Sequence, residues 1–135
     1  MRRFIEAQEV DEIKALLASQ ASEYWNDHYR FDKSSDRKYV KKLSSTWIEM
    51  LIINVVAPLL FIYGNHKGDQ ELKNKAISFL EDIPAEKNSI INTWRNLGVK
   101  CNNALQSQGS LRLKKEYCSE INCMKCSIGN ELLKF

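Results

Sequence analysis

Three observations predict an all-α fold for this chain of 135 residues. Apolar side chains recur at helical spacing along most of its length. No run alternates with the period of two that marks a half-buried strand, and no hairpin signal joins two such runs. Only five glycines and two prolines interrupt the pattern. The expectation is a single helical domain over residues 1–135. It is an irregular bundle of about five or six helices around a kinked, mostly apolar central helix at about 45–63.

The elements follow in order. Val10, Ile13, Leu16 and Leu17 share one face of a helix over about 8–20. From Glu23 to Lys42 the pattern breaks into aromatics and charges, which reads as an irregular connection with Tyr24, Trp25, Tyr29 and Phe31 tucked against the bundle. Ser44 or Ser45 can cap the central helix, because a serine hydroxyl accepts from an orphan N–H of the first turn. Pro58 has no N–H to give to Asn54, so a kink is expected at 54–58. Gly64 and the turn residues after it end this helix.

Asp69 then caps a helix over about 70–82, with Leu72, Ala76, Phe79, Leu80 and Ile83 on its buried side. Pro84 suits the first turn of the next helix, where a missing N–H costs nothing and Glu86 meets the positive end of the dipole. Ile90, Ile91, Trp94 and Leu97 form its apolar face, and Gly98 stops it. Asn102 and Asn103 are cap residues ahead of Ala104, Leu105, Leu111 and Leu113, with Gly109 weakening the middle of that helix. The segment from Cys118 to Cys126 takes no assignment, and Ile128 to Leu133 forms a closing turn.

Composition narrows the function classes. The chain is 44% apolar and 27% charged, as in globular proteins, with a net charge of +3. Two histidines, His28 and His66, exclude a three-histidine metal site within one chain. There is no G-x-G-x-x-G, no Walker loop and no serine–histidine–aspartate arrangement. No apolar run of signal-peptide type follows the N-terminus, so no secretion signal is expected and the location is read as cytoplasmic. The apolar run from Trp47 to Tyr63 is shorter than the roughly 20 residues of a span and contains Glu49 and Asn54, so no membrane partner is expected. Four cysteines in such a chain are reduced thiols or metal ligands.

Three constellations could carry chemistry. The first is Cys118-x4-Cys123-x2-Cys126, whose C-x2-C pair lets two thiolates converge on one ion. The same spacing opens plant-type iron–sulfur motifs. A fourth ligand would come from Cys101, His28 or His66. The alternatives are a structural zinc, a cluster or redox pair, and three small thiols packed in a turn that bind nothing. The second is His28 beside Asp27 within Tyr24-Trp25-Asn26-Asp27-His28-Tyr29, readable as a general base or ligand, or as a hydrogen-bonded histidine in an aromatic lid. The third is basic: Arg30, Lys33, Arg37, Lys38, Lys41 and Lys42 stand against Asp32 and Asp36, with Tyr39 interleaved. Arg112, Lys114 and Lys115 add a smaller cluster. Such a run contacts nucleic-acid phosphates or is a solvated loop.

Four ordered segments carry a family resemblance. They are Tyr24-Trp25-x-x-His28-Tyr29-x-Phe31, the run Ile53 to Gly64, Pro84-Ala85-Glu86-x-Asn88, and Ser107-Gln108 leading to the three cysteines, Ile128 and Gly129. Over nearly the whole chain they resemble the C-terminal part of an uncharacterised bacterial family, domain of unknown function 2851. The resemblance implies a Cys₃His zinc site from Cys118, Cys123, Cys126 and His28, and leaves Cys101 outside it. It also implies a weaker or broken helix at Gly109, where relatives carry alanine. Full-length members resemble a two-part protein with a β-rich N-terminal portion loosely similar to metal-dependent nucleases.

The expected function is a non-enzymatic helical accessory or interaction domain, with a structural zinc or thiol knot near the C-terminus. The alternatives are the helical part of a larger nuclease-like, metal-dependent enzyme and a nucleic-acid-contacting module on residues 30–42. The expected partners are an N-terminal domain or partner chain, and nucleic acid.

Overall fold

Helix periodicity and capping residues are realised in the computed structural model, which describes residues 2–133. The described residues form seven helices and one two-stranded sheet, so the fold is predominantly helical and irregular. The chain divides between Phe79 and Leu80 into two compact units.

In the first unit the helix expected over about 8–20 is the shorter α2 (Val10–Leu17), entered from the extended Glu9, and a further helix not expected from the sequence, α1 (Arg2–Glu6), precedes it. Val10 and Ile13 are buried, and α2 packs on the start of the long helix. That helix, α3, runs Ser45–Lys67. Ser44 caps it, its Oγ accepting from the Trp47 N–H at 3.3 Å. Pro58 acts as expected on the ladder, but the result is a π-helical stretch over Ile52–Val56. The Ala57 N–H reaches back five residues to Ile52 O, and the Asn54 amide donates to Met50 O at 2.9 Å. Pro58 then sits at the start of the α-helical Ala57–Lys67, directly after the π turn that takes up its missing N–H.

Gly64 does not end α3. The helix continues to Gly68, which adopts the left-handed conformation (φ 68°) that closes helices. Gly64 instead permits close approach: a Cβ there would lie 3.0 Å from Asp69 O and 3.1 Å from Lys73 Cγ. Asp69 caps α4 (Gln70–Asp82) as predicted, accepting from the Leu72 N–H at 2.9 Å. Leu72, Ala76 and Phe79 are its buried residues. They join Ile13, Ile48, Ile52, Ile53, Val56 and Leu60 among the buried apolar side chains of the first unit.

The second unit opens differently from the expectation at Pro84. No helix starts there; Pro84 forms a bridge with Asn103, flanked by hydrogen bonds from Ala104 N to Ile83 O and from Ala85 N to Asn102 O. The helix begins at α5 (Ser89–Asn96), because Asn88 offers a better cap, its Oδ1 accepting from the Ile91 N–H at 2.9 Å. Leu97 lies beyond that helix and is exposed, so it is not part of the apolar face. Asn103 caps α6 (Ala104–Leu113), which runs through Gly109 without a break and continues as a π-helical turn over Lys114–Cys118. Ala85, Ile91 and Cys101 form the buried cluster, with Trp94 and Leu111 packed on it. A 3₁₀ turn (Cys123–Lys125) leads into α7 (Ser127–Leu132).

Candidate functional site

Residues 19–43 are more ordered than an irregular connection. A 3₁₀ turn (Glu23–Asn26) leads into β1 (His28–Arg30), which pairs antiparallel with β2 (Lys33–Ser34). Phe31 and Asp32 form the tight connection, Asp32 taking a positive φ of 59°. The Asp32 N–H donates to the Tyr24 hydroxyl at 3.0 Å. The chain then returns beside its own start, with Tyr39 N bonded to Asn26 O, Ala21 N to Lys41 O and Leu43 N to Ser19 O.

The aromatic side chains fall into two groups by their ring contacts. Tyr24, Trp25, His28 and Phe31 form one group: His28 stacks on Tyr24 at 4.1 Å, and Phe31 meets Trp25 edge-on at 5.0 Å. Tyr29 and Tyr39 form another, with ring centres 6.1 Å apart. The expectation that these aromatics are tucked away is overturned for three of them. Phe31 is 74% exposed, Tyr29 61% and Tyr24 39%; Tyr39, for which no burial was expected, is 48% exposed. A two-residue connection carrying an aromatic has too few neighbours to bury it.

The six basic residues separate by role. Lys41 is half-buried; its ammonium lies 3.6 Å from the centre of the Tyr29 ring and also donates to the His28 carbonyl. It braces the ribbon through a cation–π contact. Arg30, Lys33, Arg37, Lys38 and Lys42 are exposed, and none makes an ion pair among the described residues. Of the smaller cluster in the second unit, Arg112 is paired with Glu116 at 2.7 Å.

His28 Nδ1 lies 2.8 Å from Tyr24 O and 2.7 Å from Asp27 Oδ1. Both partners are acceptors, so Nδ1 carries the hydrogen and Nε2 of the neutral ring keeps a lone pair. No hydroxyl or thiol is hydrogen-bonded to that nitrogen among the described residues. The hydrogen bond from His28 holds the Asp27 carboxyl below the ordinary carboxylate range. A lowered folded-state pKa stabilises the fold above the unfolded value, near pH 4, and that contribution is lost as pH falls through the lowered value. Asp27→Asn is therefore expected to destabilise the protein at neutral pH. Its difference from the parent in urea unfolding should shrink to nothing under strongly acidic conditions, and a pH-independent difference would contradict the pairing. Nearby, Asn26 is buried, and its Oδ1 has no hydrogen-bond partner among the described residues.

The cysteines belong to the second unit. Cys118, Cys123 and Cys126 line one cavity of about 190 Å³ together with Trp94, Leu113 and Ile128. Cys118 and Cys123 are exposed, whereas Cys126 is buried. Among the described residues no three of His, Cys, Asp and Glu come together as a set that could hold a metal ion. The three thiols share an apolar-lined space within the second unit, and His28, in the first unit, has its Nδ1 engaged by Tyr24 O and Asp27 Oδ1. Cys101 is buried separately, its thiol 3.3 Å from Ser110 Oγ.

A further surface escaped the sequence reading. Helix α3 is long enough and apolar enough to cross a membrane by length and composition, yet only 33% of its most apolar window is buried. The run judged too short for a span is therefore part of a longer helix of 23 residues. Trp47, Met50, Val55, Leu59, Phe61 and Ile62 are exposed along it. Beside them, Phe4 and Leu17 join Leu51, Val55 and Leu59 in lining a shallow apolar cavity of about 180 Å³. The signal was present as continuous apolarity, which a helix buried all round would also show.

The family model described as "Protein of unknown function (DUF2851)" matches residues 1–89. This covers three of the four resembling segments and leaves the cysteine segment outside the match. No curated protein and no solved structure matches the chain.

Proposed function

This chain belongs to the DUF2851 family of proteins of unknown function, and from that premise we propose that it is a non-enzymatic interaction domain that docks a partner protein through the outward face of α3. The observation that carries this reading is the exposure of α3. A long apolar helix that buries a third of its most apolar window leaves a surface that water solvates poorly. Trp47, 59% exposed, is the kind of residue that dominates docking energetics once its ring is covered. Glu49, half-buried, and Asn54, exposed, interrupt the apolar face and suit a protein surface better than a hydrocarbon one.

Photo-crosslinking from position 59 or 62 in cells, followed by identification and reconstitution of the captured protein, tests this. The reconstituted complex should weaken by about 30-fold or more with Trp47→Ala, corresponding to roughly 2 kcal/mol at a docking hot spot. Helicity should be unchanged. Crosslinks confined to lipid, or a complex indifferent to Trp47→Ala and Leu59→Glu, would remove the proposal.

A further inference from the structure

The ribbon formed by residues 24–42 presents two features together that the docking face of α3 does not use. Five basic side chains, Arg30, Lys33, Arg37, Lys38 and Lys42, stand in solvent without ion-pair partners among the described residues. Interleaved with them in sequence are the exposed rings of Tyr29, Phe31 and Tyr39. The acids of this stretch are fewer: Asp27 is engaged by His28, leaving Asp32 and Asp36. The local balance is therefore positive although the whole chain carries only +3.

The rings are held before any ligand arrives. Phe31 sits on the tight connection between β1 and β2, steadied by Trp25 at 5.0 Å and by the hydrogen bond from Asp32 N to the Tyr24 hydroxyl. Lys41 braces Tyr29 from one side at 3.6 Å and lies 5.8 Å from the centre of Tyr39. Ordering flexible side chains is a cost of binding, and this arrangement has met part of it already.

We propose that residues 24–42 form a binding site for single-stranded nucleic acid, with Tyr29, Phe31 and Tyr39 as stacking platforms and Arg30, Lys33, Arg37, Lys38 and Lys42 as phosphate contacts. An unpaired strand offers both chemistries at once, a flat π face on each base and a negative charge on each linkage. A duplex hides its base faces in the stack, so exposed rings would contribute little to holding it. An acidic peptide would answer the basic side chains but leave three aromatic rings without a flat partner. Lys41 is assigned to holding the ribbon together and not to the ligand. The site is distinct from the outward face of α3, so either proposal can fail without the other.

The test is fluorescence anisotropy of short labelled oligothymidylate and oligouridylate titrated with the full chain. A matched duplex and polyglutamate serve as competitors. The expected result is binding at low ionic strength that weakens linearly in log–log form with salt. Lys33→Gln with Lys38→Gln should lower the magnitude of that slope by about 1.4, near 0.7 for each lost phosphate contact. Phe31→Ala should weaken binding by roughly five- to 100-fold at constant salt, the loss of one stacked base. Phe31→Trp keeps the platform and adds an indole whose emission the oligonucleotide should quench, a readout that a merely structural role would not produce. Because Phe31 is largely exposed, both variants are expected to keep the parent's circular dichroism. The proposal is overturned by absence of binding at low salt, by affinity indifferent to Phe31→Ala and Tyr29→Ala, or by competition from duplex or polyglutamate as effective as that from the single strand.

Discussion

Replacing Phe79 by alanine should lower the stability of the protein by about 3–5 kcal/mol, the range for removing a fully buried aromatic and leaving a cavity. Phe79 is 1% exposed and is the largest fully buried side chain among the described residues. It lies on the face of α4 that also carries Ala76 and Leu72, three and seven residues earlier, both buried. Since domains are typically stable by only about 5–15 kcal/mol, this one change removes a large share. The measurement is urea unfolding, where the midpoint should fall while the slope stays constant. The same chemical change at Phe31, 74% exposed, is the control and should cost less than about 1 kcal/mol. Equal costs at the two positions would mean that burial is not what makes Phe79 matter.

That contrast between two phenylalanines also measures how far the sequence could be read. Phe79 was legible because it falls on a helical stripe with Leu72 and Ala76 behind an aspartate cap, and periodicity is a direct image of burial. Phe31 was not, because an aromatic without periodic neighbours is assigned to the core by default. What exposes it is a hairpin whose strands are three and two residues long. Pairs this short have no alternation to detect, and Phe-Asp is not among the glycine-bearing connections that announce a hairpin.

The backbone exceptions follow the same logic. Pro58 correctly signalled a break in the α-ladder, yet a sequence does not say whether a helix bends or absorbs the missing N–H in a π turn. Gly64 read as a stop because glycine ends helices, but its use is close contact with the start of α4. Pro84 read as a start, while Asn88 made the stronger cap four residues on. For the candidate sites, the basic residues were countable from the text. The roles that divide Lys41 from its neighbours, and the exposure of α3, depend on packing that no local pattern encodes.

The cysteine segment has its own decisive position, Gly129. A Cβ added there would lie 2.2 Å from Cys123 O, 2.8 Å from its carbonyl carbon and 3.0 Å from its Cα. All three are backbone atoms, so no side-chain rotation relieves the clash, and the 3₁₀ turn at Cys123–Lys125 must separate from α7. Overpacking of this kind costs about 1–3 kcal/mol and more where the backbone is pinned. Here the pins are the hydrogen bonds from Cys126 N to Cys123 O and from Asn130 N to Cys126 O. Gly129→Ala is therefore expected to open this turn locally. The reporter is the thiol of Cys126, a residue that is 8% exposed in the folded protein. In a background with Cys118 and Cys123 changed to serine, its reaction with a thiol reagent should accelerate roughly 30- to 100-fold, near tenfold for each 1.4 kcal/mol of lost local stability. Cys101, buried with its sulfur against Ser110, should stay protected in the same sample and show that opening is local. Unchanged labelling of Cys126 would mean that the approach of Gly129 to Cys123 does not hold this turn closed. Labelling of Cys101 at the same accelerated rate would mean that the turn supports the whole second unit.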